Sequence, residues 1–208
     1  MSLVALVLYA VALVVIFGLR SWVQRRRTGS AGFRGFSGTP ADAGWWGGVL
    51  FVAAIVLGLA GLVLAVAGVV VAHPPVAVQV CGLVLALAGF AGTLAGQVGM
   101  GSSWRVGVDP AERTTLVTTG VFAVVRNPVF SAMVAAQAGV TLMVPTWPTV
   151  LSLVALVVAV ELQVRAVEEP YLRAMHGSSY AEYAGRAGRF VPGIGRMGVP
   201  ADVDDARP

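Results

Sequence analysis

Residues 130–144, FSAMVAAQAGVTLMV, and residues 149–164, TVLSLVALVVAVELQV, are two apolar runs separated only by Pro145-Thr146-Trp147-Pro148. A helix needs roughly 20 apolar residues to cross a hydrocarbon core about 30 Å thick. Each run is short for that task, and the tetrapeptide between them leaves room only for a tight turn. The pair reads as a helical hairpin. Its flanks are polar: Arg126-Asn127-Pro128 leads into the first arm, and Arg165, Glu168, Glu169 and Pro170 follow the second. Charge kept beside a bilayer is costly and marks function. If the hairpin closes, its two flanks meet. The expectation is therefore an all-α, polytopic membrane helix bundle with a site at the open end of this hairpin.

Working outward, three more apolar runs cover residues 3–19, 45–72 and 76–98, giving about five transmembrane helices. His73-Pro74-Pro75 is a second short link. Of 208 residues, 57% are hydrophobic and 12% charged, with mean hydropathy +0.83. A soluble domain carries about a quarter charged residues, so a soluble fold is excluded. One integrated domain is expected: residues 1–100 hold three helices and a loop, 101–196 hold a polar loop, the hairpin and a C-terminal helix that closes a site, and 197–208 form a disordered tail. Residues 29–44 are rich in Gly, Ser and Ala and read as a flexible loop. The recurrent glycines of the spans read as helix-packing positions. The lone Cys81 lies in an apolar run, which rules out an intramolecular disulfide.

The cations settle the expected orientation. All are Arg, and they cluster after the first span (Arg20, Arg25, Arg26, Arg27, Arg34), after the third (Arg105, Arg113, Arg126) and after the fifth (Arg165, Arg173, Arg186, Arg189, Arg196). Neither short link carries one. Arg excess marks the cytoplasmic side, which puts the N-terminus outside and the site and C-terminus inside, in a bacterial plasma membrane. The first run lacks a basic segment ahead of it, so it reads as a retained anchor and not a signal peptide. The pI near 10.0 comes from these clusters; no aromatic-interleaved basic patch supports a nucleic-acid partner.

Three polar segments carry the candidate chemistry. In Arg126-Asn127-Pro128, proline disfavours helix before it and suits the first turn of a helix after it. Free N–H groups at that helix start, beside an Arg, attract a carboxylate; an Arg snorkelling to headgroups is the plainer alternative. Glu161, Arg165 and Glu168 or Glu169 recur at helical spacing on one face, and Pro170 either kinks a helix or starts a new one. Tyr171, Leu172, Met175, Tyr180 and Tyr183 form the apolar side of an interfacial helix interrupted at Gly177. There is no G-x-G-x-x-G after a strand, no P-loop and no zinc-type spacing. His73 and His176 fall on opposite sides of the membrane, so no metal site is expected.

Residues 116–130, LVTTGVFAVVRNPVF, resemble the isoprenylcysteine carboxyl methyltransferases, in which Leu-Val-Thr-Ser/Thr-Gly-x-Tyr-x-x-x-Arg-His-Pro-x-Tyr precedes an apolar hairpin. The segment after the hairpin resembles that family's Glu-Glu-x-x-Leu and Phe-Gly-x-x-Tyr-x-x-Tyr, here Glu168, Glu169, Leu172, then His176, Gly177, Tyr180 and Tyr183, closing on Pro192. The likeness spans about residues 112–192 and extends to a wider group that includes phospholipid methyltransferases. It implies S-adenosylmethionine as cofactor and a lipid-like or prenylated acceptor reached from the bilayer. On the matching positions it implies that Leu116, Val117, Gly120, Phe122, Arg126, Asn127, Pro128, Phe130, Glu169, Tyr180, Tyr183, Arg189 and Pro192 bind the cofactor, with Arg165 and Glu168 catalytic. Asn127 stands where the family has His, and Phe122 and Phe130 where it has Tyr. Asn cannot titrate near neutral pH, which suits a carboxylate acceptor, already ionised at pH 7. A phospholipid or amine methyltransferase, an NADPH-dependent membrane reductase of related architecture and a non-enzymatic membrane binding protein are the alternatives.

Overall fold

The structure is a computed structural model that describes residues 1–28, 38–69, 73–100 and 116–198. Its elements run α1 (Ser2–Leu13), a π-helical stretch (Val14–Leu19), α2 (Arg20–Thr28), α3 (Ala43–Val66), α4 (Val76–Gly99), a 3-10 turn (Gly120–Ala123), α5 (Pro128–Met143), α6 (Trp147–Leu162), a second π-helical stretch (Gln163–Glu168) and α7 (Glu169–Arg186). No strand occurs among the described residues. Ser2–Arg26, Ala43–Val66, Val76–Gly99 and the continuous run from Trp147 are long and apolar enough to cross a membrane. The 16-residue α5 is the shorter apolar partner within the bundle. Val56, Val84 and Val154 are among many large apolar side chains on the outer surface. So much outward apolar surface belongs in lipid, and the protein is an integral membrane helix bundle. The Gly-rich loop from residue 29 to 37, the cations Arg34, Arg105 and Arg113, residues 70–72 of the second run, and the tail beyond 198 lie outside the described residues.

The hairpin turn is tighter than the sequence suggests. Thr146 caps α6: its hydroxyl accepts from the Thr149 N–H at 3.3 Å, and the Thr149 hydroxyl accepts from the Thr146 N–H at 3.0 Å. Trp147 and Pro148 are therefore the first turn of α6. Proline is at home there because its missing N–H would have lacked a helical partner. At the other end, α6 does not stop. The chain widens into a π-helical turn and enters α7 with Pro170 in its first turn. The break comes at Gly177, whose φ of 52° and ψ of −125° only glycine adopts without strain.

Packing pairs α4 with α5 and α3 with α6 along their lengths. The first pair touches backbone to backbone: a methyl on Gly139 would overlap the Ala86 nitrogen and the Gly82 carbonyl oxygen. Lipid offers no hydrophobic drive for helix association, so such close van der Waals contact is what holds the helices together. One core cluster joins Tyr9 of α1 to Leu62, Ala86, Val140 and Met143. A second joins Ala54, Leu156 and Val160. A third, Tyr180, Tyr183, Ala184 and Ala187, belongs to α7 and the C-terminal strap that follows it (residues 187–198) and sits at the hairpin's open end.

Candidate functional site

The two polar flanks meet through their backbones. Arg126 N–H donates to the Gly188 carbonyl at 2.8 Å, Gly188 N–H to Val124 at 3.0 Å, and Asn127 N–H to Arg189 at 3.1 Å. These form a short parallel bridge between residues 125 and 188. The Asn127 side-chain amide donates to the Arg189 carbonyl at 3.0 Å, and the Ser131 hydroxyl to that of Phe190 at 2.6 Å. Gly188 is needed where it stands, because a Cβ would collide with the Val191 carbonyl oxygen across the turn.

Beneath this bridge lies a buried ionic cluster. Glu169 accepts from Arg189 Nε at 2.7 Å and Nη2 at 3.1 Å, and from Arg126 Nη2 at 3.0 Å. The Arg126 and Glu169 side chains are only 2% and 8% exposed. Arg126 also donates to the carbonyls of Ala184 (3.0 Å), Ala187 (2.6 Å) and Gly195 (3.0 Å), so its guanidinium caps the last turn of α7 and pins the strap. A cation near a helix C-terminus is favoured by the helix dipole. Four of the five guanidinium donors are thus spent within the protein. The fifth, Nε–H, is buried and has no partner among the described residues.

The charge states follow from this geometry. Burial pushes the Glu169 carboxyl up, but the hydrogen bonds and charges of Arg189 and Arg126 outweigh it and hold the group below its ordinary value. Hydrogen bonding to Glu169 raises Arg189 further above the physiological range. Burial pushes the Tyr180 and Tyr183 phenols up to about 12, and Tyr183 stays protonated to donate to the Phe122 carbonyl at 2.7 Å. A carboxyl depressed in the folded state stabilises it above the unfolded pKa, and that stability is lost as pH falls through the carboxylate range near 4. Thermal unfolding in detergent, scanned from neutral to acid pH, should hold steady to about pH 5 and fall below it. Glu169→Gln should flatten that fall.

The other singled-out residues distribute around this core. Phe122 and Pro128 are buried, Phe130 is half-buried on the second core cluster, and Leu116 packs on the third. Val117 is half-buried, while Gly120, with φ of 62°, and Pro192 lie on the surface. Arg165 is exposed and pairs with Glu161, and Glu168 is half-buried beside Glu169. Glu161 lies close enough to act on the charge of Arg189. Tyr180 and Tyr183 form an edge-on pair, centroids 6.2 Å apart, inside the core of this region. Asn127 makes no side-chain capping bond to the start of α5, because its amide turns to the strap. Sequence reasoning missed Ser131, Phe190 and the carbonyls of Ala184, Ala187 and Gly195. The Pro192-Gly193 pair was the only local signal for the strap's turn.

A helix start that Asn127 does not cap, beside a buried guanidinium N–H and a rim of carboxylates, suits a zwitterionic ligand: its carboxylate at the helix end, its amine or hydroxyls at the carboxylates. Among the described residues no group of His, Cys, Asp and Glu is arranged to hold a metal ion. The family model described as phospholipid methyltransferase matches residues 77–179, which run from α4 through the first part of α7 and include Arg126, Glu168 and Glu169. No curated protein matches the chain.

Proposed function

We propose, from that family match and the polar cluster at the hairpin mouth, that this protein is an S-adenosylmethionine-dependent methyltransferase acting on a membrane lipid. The observation that carries the reading is the buried Arg126 Nε–H, left without a partner among the described residues, beside a start of α5 that Asn127 does not cap. Buried donors are nearly always satisfied, and a methionine-type carboxylate satisfies both features.

S-adenosylmethionine, held by Arg126 and Glu168, would supply an electrophilic methyl group for a lipid oxygen or nitrogen, with S-adenosylhomocysteine as the leaving group. The chain's own residues position and shield. Arg126, fixed by Glu169 and three carbonyls, presents its remaining N–H in one direction. Phe130 and Phe190 keep water from the apolar side. Glu168 takes the amine or ribose hydroxyls, and Arg165 with Glu161 lines the acceptor's approach. Positioning alone contributes about 7–11 kcal/mol to such a barrier, and no base is needed for an ionised acceptor.

An isoprenoid-linked carboxylate is the acceptor we favour, because Asn127 supports no proton transfer at the position where the resembling family carries His. The phospholipid amine is the second reading, favoured by the family description. By the Arg distribution the site and C-terminus face the cytoplasm of a bacterial plasma membrane, with the N-terminus outside.

Calorimetric titration of detergent-purified protein with S-adenosylhomocysteine, with NADPH alongside, tests the reading. Saturable binding of the former alone is expected, and Glu168→Ala should weaken it about ten- to a hundredfold, the loss of one charge-assisted bond. Binding of NADPH alone, or of neither ligand to folded protein, would refute it. Labelled methyl released from the lipid product by mild base marks an ester; label that resists base marks an amine.

A further inference from the structure

We propose that the cavity between α1, α3, α5 and α6 receives the far end of the acceptor's apolar chain, and that Tyr9, seated against Gly58, sets the chain length accepted. This deepens the lipid-acceptor reading and rests on it for the identity of the occupant.

The cavity admits the centres of water-sized spheres over about 50 Å³. One end is apolar: Phe17, Phe51, Ala54 and Leu156. Two of these, Ala54 and Leu156, also belong to the core cluster against which Phe51, Phe130 and Phe190 pack. Phe130 stands two residues after Pro128, and Phe190 directly follows Arg189, so this end abuts the ionic cluster with two aromatic rings at the join. A chain whose polar head lies at the ionic cluster enters here.

The other end is polar. Tyr9, Gln137 and Ser152 converge on it from three helices. Ser152 donates to the Ala54 carbonyl at 2.6 Å. The Tyr9 hydroxyl shares a side-chain hydrogen bond with Ser152 and reaches the Ile55 carbonyl at 3.5 Å, as the Gln137 amide does that of Thr149; both residues are buried, 6% and 4% exposed. Buried polar groups of this kind hold water or a ligand oxygen well and a methylene badly. A hydrocarbon chain therefore gains by filling the apolar end and stops at the hydroxyl–amide rung.

Gly58 makes the place for Tyr9. A Cβ there would lie 2.5 Å from the Tyr9 hydroxyl oxygen, so a methyl pushes the phenol into the cavity. Tyr9 and Gly58 belong to α1 and α3, both outside the segment that matches the family model. Chain length is thus set by the part of the bundle that the family likeness does not cover.

The test uses the full-length protein in detergent and a homologous series of straight-chain fatty acids, with binding read by native mass spectrometry and no methyl donor present. Wild type should bind about fourfold tighter per added carbon, one buried CH2 each, up to a cut-off, then level or weaken. Tyr9→Ala should move the cut-off to longer chains and Gly58→Ala to shorter ones. Tyr9→Phe, which keeps the ring and the packing, should soften the cut-off. No fatty-acid binding, no cut-off, or a cut-off that none of the three variants moves overturns the proposal. S-adenosylhomocysteine titrated into the same samples separates the two readings: absent donor binding with a cut-off that shifts as described refutes methyl transfer and supports the length-setting cavity.

Discussion

Glu169→Ala should destabilise the protein by about 3–5 kcal/mol, the cost of leaving buried charge without its partner. Two guanidinium groups lose the carboxylate at once, and Arg126 has no way out to water. Arg126 is held by the carbonyls of Ala184, Ala187 and Gly195, and Arg189 is part-buried under its own strap. Glu169→Gln keeps the volume and one acceptor oxygen, so its cost should be smaller. Arg126→Met should cost more than Arg189→Met, because Arg126 satisfies four acceptors and its side chain is 2% exposed against 17%. Unfolding of detergent-solubilised variants, followed by heat or denaturant, measures the order. Glu169→Ala with wild-type stability but no S-adenosylhomocysteine binding would show that this carboxylate serves the ligand and not the two cations. The two guanidinium groups share one partner, so their losses should be strongly non-additive in a double-mutant cycle.

Gly139→Val should be the most damaging single change within the spans. The side chain would have to occupy space filled by the Ala86 nitrogen and the Gly82 carbonyl. Backbone cannot rotate aside as a side chain does, so α4 and α5 must separate. Overpacking of this kind costs about 3 kcal/mol, and here it also loosens the helix that carries Arg126 and Asn127 at its start. Gly92→Ala is the internal comparison: its Cβ would lie 3.2 Å from the Ala132 methyl, which a small shift relieves. Thermal stability by size-exclusion should fall steeply for the first variant and little for the second. Equal losses would mean that α4 and α5 do not meet as closely as described.

Much of this architecture was legible in the residues. A bilayer imposes a length and a composition on every span, so the apolar runs, the short links and the hairpin follow from counting. The four-residue link between the two runs marked the hairpin turn, although the capping pair Thr146 and Thr149 drew Trp147 and Pro148 into α6 and shortened it. The Gly177 break was visible because no other residue takes that conformation cheaply. Arg126, Glu168 and Glu169 were singled out because charge beside a membrane needs a reason, and Arg189 by the resemblance.

What those charges do to one another was not legible. Side-chain identity says that Arg126 can bind a carboxylate; it does not say that Glu169 is that carboxylate, or that three backbone carbonyls take the other donors. Carbonyl acceptors leave no trace in residue type, so Ala184, Ala187 and Gly195 look inert until the strap folds back. The cavity above Phe130 and Phe190 is hidden for the same reason: its polar end joins residues 9, 137 and 152, which no sequence spacing relates. Composition and periodicity determined that this is a membrane helix bundle with a polar hairpin mouth, because burial in lipid acts on each residue separately. Only the tertiary structure decided which charges are spent on the fold and which donor is left over among the described residues, because a hydrogen bond is a property of two groups brought together.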